Sequence, residues 1–198
     1  MSRPLQHVEA LVIGASAGGV EALLTLLPAL PATFPAAVFV VLHLPRERPS
    51  LLVDIFRPKC ALPVAEAQDK EPVRPGHIYF APPDYHLLVE KGGEMSLSDD
   101  ELVNFSRPSI DVLFESAADC YRQRLLGVLL TGGNEDGAAG LQAIRRAGGA
   151  TLVQDPGEAQ AAYMPEAAIK LGPVDQILPL AQIAALLRGL GASRISGG

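Results

Sequence analysis

Cysteine is scarce in this chain of 198 residues: only Cys60 and Cys120 occur, far apart and with no histidine near either in sequence. That excludes a disulfide framework and the usual zinc-ligand spacings, and it suits a reducing cytoplasm. Positive charge is not in excess either. Lysine and arginine number 16 against 22 acidic residues, for a formal net charge of −6 and a pI near 5.2. With no basic cluster, the balance argues against binding a phosphate backbone, so no nucleic-acid partner is expected. Residues 1–7 lack the apolar core of a signal peptide. The longest uninterrupted apolar run, residues 36–42, is far too short to span a bilayer, so no membrane insertion is expected. Internal repeats and domain-splitting linkers are missing as well. What remains is a globular, cytoplasmic protein, 48% apolar and 19% charged. Its length suits one domain over residues 1–198 with a core at about 8–188.

The stretch that organises the chain lies near its start. Residues 8–13 are short, apolar and β-branched at the centre, which predicts a buried strand broken at Gly14. From Val20 the period changes: Val20, Leu23, Leu24, Leu27 and Leu30 share one face of a helix. The turn between them, Gly14-Ala15-Ser16-Ala17-Gly18-Gly19, carries one side chain capable of chemistry. Ser16 would stand at a strand's carboxyl end beside the first free N–H groups of a helix, where the dipole stabilises negative charge. A hydroxyl there serves either as a nucleophile or as a simple N-cap. The turn matches the G-x-S-x-G nucleophile elbow. That fold, however, has several strands before the elbow and a late histidine, whereas no histidine follows His86 here. Neither a phosphate loop nor a dinucleotide fingerprint is present.

Further strands are predicted over residues 36–43, 62–66, 76–81, 85–90, 95–98, 125–130, 150–153 and 174–178. Helices are predicted to open near Ser50, at residues 106–109, ahead of Leu141, at Met164 and over residues 179–187, with residues from Gly189 onward frayed. Alternating strands and helices predict an α/β fold: a doubly wound, mainly parallel sheet, with a small and more exposed antiparallel hairpin around Gly92-Gly93. Ligands of such sheets bind outside the carboxyl ends of the strands. Ser16, His43 and Asp136 each occupy such an end, and they are the residue types that serine-based acyl transfer needs. Among the other histidines, His7 precedes the core, His77 opens a strand, and His86 lies in the hairpin. For the acid, Asp136 and Asp155 both follow strands, and physical reasoning alone leaves the two open.

With these residues assembled, the chain resembles the catalytic domain of CheB-type chemotaxis protein-glutamate methylesterases. The resemblance runs from about Leu11 to Leu187. It is carried by Ile13-Gly-Ala-Ser-Ala-Gly-Gly19, Leu42-His43-Leu-Pro45, Tyr79-Phe-Ala-Pro-Pro-Asp-Tyr-His86, Arg107-Pro-Ser-Ile-Asp-Val-Leu-Phe114, Leu130-Thr-Gly-Gly-Asn-Glu-Asp-Gly-Ala-Ala-Gly140, Gln154-Asp155 and Met164-Pro165. It implies the triad Ser16, His43 and Asp136, and with it the choice of Asp136 over Asp155. It implies a serine esterase, without metal or cofactor, acting on glutamate γ-methyl esters of chemoreceptor cytoplasmic helices, with receptor glutamine deamidation in some relatives. Backbone N–H groups of Ala17, Gly132 and Gly133 are the oxyanion candidates. The chain departs from the family pattern in having Ala17 for threonine, Gly133 for the methionine of Thr-Gly-Met-Gly, and Leu42 for glutamine. Family members usually carry an N-terminal receiver domain, and the chain starts at Met1 without one. The resemblance therefore implies constitutive activity, control by a separate receiver or other protein, or origin in a larger fusion. The alternative reading is a regulatory or binding module that keeps the fold and has lost efficient hydrolysis.

Overall fold

Alternate residues of the first strand feed two different cores, and this fixes the architecture. In β1 (Ala10–Ala15), Leu11, Ile13 and Ala15 pack to one side and Ala10 and Val12 to the other, all buried. β2 (Ala37–Leu42) divides in the same way, Val38, Val40 and Leu42 against Ala37, Phe39 and Val41. Strands buried on both faces are apolar throughout, which is why they read as continuous runs in the sequence. The computed structural model describes residues 5, 7–45 and 49–192. Most of residues 1–7, part of the charged loop at 46–50, and residues 193–198 of the expected frayed end lie outside the described residues.

The main sheet adds β3 (Val64–Glu66), β4 (Ile78–Phe80), β7 (Leu125–Leu129), β8 (Ala150–Gln154) and β9 (Gln176–Leu178), while β5 (His86–Val89) and β6 (Met95–Ser98) form a separate antiparallel hairpin. The order is β3-β4-β2-β1-β7-β8-β9, with every pairing parallel. One face is covered by α1 (Gly19–Leu26), α2 (Leu52–Phe56) and α6 (Leu180–Ala192). The other carries α3 (Ile110–Tyr121), α4 (Ala138–Arg146) and α5 (Tyr163–Leu171). No described helix is long and apolar enough to cross a membrane. The chain leaves β1 toward β2 on one side and returns through β7 on the other. The carboxyl ends of β1 and β7 therefore flank the crevice where the winding reverses.

Several details differ from or refine the sequence reading. β1 does not break at Gly14; its ladder runs on to Ala15. The glycine answers a packing demand, because a Cβ there would lie 2.4 Å from Cγ2 of Ile110 at the start of α3. The first helix ends at Leu26 and becomes a 3-10 turn over Leu27–Ala29, where Pro28 has no N–H to donate, although Leu27 and Leu30 stay buried. The last helix continues past residue 187 to Ala192, since Gly191 packs on Pro31 and Thr33 Oγ1 donates to its carbonyl at 3.3 Å. The hairpin is also only half exposed: Leu87, Val89 and Met95 are buried in the same core as α3.

The Gly14 contact gives a direct test. Gly14→Ala should lower stability by about 1–3 kcal/mol, because the Ile110 side chain must be displaced. Gly92→Ala, where a Cβ meets nothing within 4 Å, should stay within about 0.5 kcal/mol of the parent. Thermal unfolding of the two variants side by side checks this, and coincident melting curves would refute it.

Candidate active site

Ser16 and His43 leave the sheet side by side. The register pairs Ala15 with Leu42, and His43 N–H donates to the Ala15 carbonyl at 3.1 Å. The next residue of each strand therefore stands about one strand spacing, roughly 4.8 Å, from the other. Ser16 N–H donates to Thr131 C=O at 2.9 Å, which ties the serine turn to the loop after β7. The turn then enters α1 through Gly18 at φ 78, with Gly19 N–H on the Ser16 carbonyl at 2.7 Å. Gly18 needs both its positive φ and its bareness, since a Cβ would come 2.7 Å from Gln160 Cβ. The Ser16 hydroxyl makes no hydrogen bond to either His43 nitrogen in this conformation.

The aspartate is fully buried. Asp136 Oδ2 sits 2.7 Å from His43 Nε2 and accepts the Ile110 N–H at 2.7 Å. Its Oδ1 accepts from Ser109 Oγ at 2.8 Å, Asn104 Nδ2 at 2.9 Å and the Asp111 N–H at 3.1 Å. Two of these donors are the first N–H groups of α3, where the helix dipole favours an anion. Burial alone would raise the Asp136 pKa, but the bonds from His43, Asn104, Ile110 and Asp111 outweigh it and hold the carboxyl below its ordinary 3.8. A carboxylate only accepts, so His43 Nε2 is the donating nitrogen, and in the neutral imidazole Nδ1 carries the lone pair.

A second buried acid lies beside the first. Asp111 accepts the N–H groups of Gly137 at 3.0 Å and Gly140 at 2.6 Å, at the start of α4, and Asn104 Nδ2 at 2.7 Å. Burial pushes its pKa up and the Asp136 charge adds to this, while the bonds from Gly140, Asn104 and Gly137 pull it back. Sequence reasoning missed Asn104, Ser109 and Asp111. For Ser109 and Asp111 the available signals were the helix start at residues 106–109, with Ser109 the N-cap residue of α3, and the stretch at residues 107–114 of the resemblance; Asn104 had none. Its hydroxyl serves Asp136 instead of its own helix.

The other sequence candidates fall elsewhere. Asp155 accepts the Gly157 N–H at 2.8 Å and shapes a turn after β8. His86 is buried, accepts the Ser109 N–H on Nδ1 at 3.1 Å and donates from Nε2 to the Glu101 carbonyl at 2.9 Å, so its tautomer is fixed by backbone. The His77 ring bonds the carbonyl of Pro75 at 3.1 Å and stacks on Tyr79, away from Asp136. Of the three oxyanion candidates, Gly132 has its N–H on the Ala161 carbonyl at 3.0 Å. Ala17 and Gly133 enter no backbone hydrogen bond through their N–H among the described residues, and space around Gly133 is open. A small pocket of about 80 Å³ opens beside His43, lined also by Leu44, Phe105, Ser106, Arg107 and Pro108. Phe105 is 92% exposed at its rim.

Fold and site together describe a doubly wound α/β protein in which a serine, a histidine and a buried aspartate converge at the switch point of a parallel sheet. The sequence pattern of the CheB methylesterase family matches residues 11–187, and the chain belongs to that family. A relative from Leptospira interrogans, provisionally named a protein-glutamate methylesterase/protein-glutamine glutaminase, is 48% identical over 180 residues, covering 91% of this chain and 93% of that one. Protein-glutamate methylesterase/protein-glutamine glutaminase 2 of Pseudomonas aeruginosa is 41% identical over 198 residues, covering 98% of this chain and 56% of its own. The crystal structure of the Thermotoga maritima CheB methylesterase catalytic domain superposes with a TM-score of 0.88 at 33% identity, covering 92% of this chain and 98% of that one.

Asp136 also gives the site a pH signature. Its folded pKa is lowered, so its contribution to stability is present above the ordinary carboxylate range and is lost as pH falls through the folded value. Asp111 has the opposite sign, and Asp136→Asn removes one cause of its upward shift, which offsets only part of the change. Asp136→Asn should therefore cost about 3 kcal/mol at neutral pH and flatten the fall in stability on acidification. Urea unfolding from about pH 6 down to about pH 3 checks it, and parallel stability curves for the two proteins would contradict it.

Proposed function

We propose that this protein is a serine esterase that hydrolyses glutamate γ-methyl esters on the cytoplasmic helices of a chemoreceptor, with deamidation of receptor glutamine at the same site. The observation that carries the reading is the His43 Nε2–Asp136 Oδ2 pair at 2.7 Å, standing in register beside Ser16. The names of the relatives point the same way.

In this reading Ser16 Oγ attacks the ester carbonyl while His43 Nδ1, the nitrogen left free by Asp136, takes the hydroxyl proton. The imidazole is used the other way round from the serine-protease arrangement, in which the aspartate holds Nδ1. Asp136 fixes the tautomer and stabilises the imidazolium. The oxyanion is received by the N–H groups of Ala17 and Gly133, an interaction worth about 3 kcal/mol of barrier in such enzymes. Collapse of the tetrahedral intermediate expels methoxide, which leaves as methanol with the proton from His43. Water, activated by the same nitrogen, then cleaves the acyl-enzyme to glutamate and free Ser16. A glutamine side chain follows the same course with ammonia as the leaving group.

Methanol release from methylated receptor fragments tests this. The parent should release methanol, and Ser16→Ala should lower the rate by at least about 10³-fold while leaving the fold intact. No release from a folded parent that still binds receptor would favour the regulatory-module reading instead.

A further inference from the structure

Asn104 spends both hydrogens of one amide on two acids. Its Nδ2 donates to Asp111 Oδ2 at 2.7 Å and to Asp136 Oδ1 at 2.9 Å. Both partners are acceptors, so the amide nitrogen must be the atom that faces them. The residue stands at φ 52 and is followed by Phe105 at φ 61. Val103 and Ser106 close this two-residue turn by exchanging backbone bonds of 3.1 and 3.0 Å. Asparagine is among the few side chains that tolerate that conformation, and here it aims its amide inward. Asp111 in turn holds the start of α4 through Gly137 and Gly140. Asp136 is the residue immediately before that start.

We propose that Asn104 and Asp111 are positioning residues for the proposed triad: together they clamp Asp136 between the starts of α3 and α4 so that its Oδ2 stays on His43 Nε2. The proposal rests on the esterase reading above. The charged and titratable groups facing the pair are Asp136 from the loop before α4, His43 beyond it from β2, and Glu115 on α3. Asp111 is the weaker of the two buried acids. A proton entering the cluster on acidification goes to Asp111, and Asp136 keeps the charge that faces His43. Without the Asn104 amide, both acids lose a donor and the two like charges face each other directly.

The test uses Asn104→Gly and Asn104→Asp, both of which tolerate a positive φ, with retained folding checked by thermal unfolding. Glycine removes the amide. Aspartate keeps the shape but replaces the donor with a third carboxylate. In both, kcat for ester hydrolysis should fall roughly tenfold or more with KM unchanged, and the loss in Asn104→Asp should be at least as large as in Asn104→Gly. The Asp111 carboxyl, followed by carbon NMR, should titrate at higher pH in Asn104→Gly than in the parent. A folded Asn104→Gly with the parent's kcat would overturn the proposal, as would a loss confined to glycine with Asn104→Asp at the parent's rate. A parent with no Ser16-dependent hydrolysis would instead remove the esterase reading itself, and the Asp111 titration would still report whether the amide bridge exists.

Discussion

Two helix starts exchange carboxylates, and most of the site depends on that exchange. Asp136 precedes α4 yet accepts the first N–H groups of α3, and Asp111 begins α3 yet accepts those of α4. Burying a carboxylate costs several kcal/mol unless charge-assisted bonds, each worth roughly 1.5–3 kcal/mol, replace its water. Here three of the four oxygens find donors from a helix end, and the fourth, Asp111 Oδ2, takes the Asn104 amide that lies between the two charges. The arrangement demands close approach. Gly14 makes room for Ile110 over β1, and Gly140 for Phe114 and Asp111, where a Cβ would come 2.5 Å from the Phe114 Cβ. The starts of α3 and α4 are thereby locked over the carboxyl ends of β1 and β7.

That lock determines what His43 faces. An aspartate so well supplied with donors stays ionised below the ordinary carboxylate range and presents a full charge to the imidazole. Because Oδ2 is shared between His43 and the Ile110 N–H, the carboxylate cannot rotate toward the imidazole without giving up the helix. The imidazole, 13% exposed, is held by a group that is itself held. In the proposed esterase, geometry of this kind makes the base available without reorganisation.

Much of this was legible in the sequence, for reasons that also explain what was not. Strands buried on both faces are apolar without interruption, so the doubly wound fold and the strand ends at Ser16 and His43 could be read directly. Gly14 was misread as a strand break because glycine's local meaning is flexibility, whereas its role here is set by Ile110 on a helix nearly a hundred residues away. Asp136 and Asp155 were inseparable for a similar reason. Both follow strands, and what distinguishes them is which loop lies under the start of α3. Ser109 and Asp111 carried the mark of a helix start and of the stretch at residues 107–114, and Asn104 carried none; their bonds to Asp136 span 27, 25 and 32 residues. Local pattern reaches the residues at strand ends. It does not reach those whose meaning is a partner far along the chain.

The three departures from the family pattern can be judged against this geometry. Ala17 is joined to the neighbouring loop by its backbone: Thr131 Oγ1 donates to the Ala17 carbonyl at 2.8 Å. Thr131 also accepts the Ser16 N–H on its carbonyl and the Ala161 N–H on its hydroxyl, and its own N–H is held by buried Gln154 at 2.9 Å. The serine turn is therefore pinned without any side chain at position 17, and a threonine there is not required to shape it. Gly133 leaves open space where a larger side chain would stand, and the change leaves the backbone N–H in place. Leu42 is buried against the start of α1, within reach of where a Gly19 Cβ would point, and contributes to the core beneath the turn. All three changes spare the backbone of the site. Ala17 and Gly133 lie at the surface of the site, whereas Leu42 belongs to the core beneath it, so only the first two change the face the site presents.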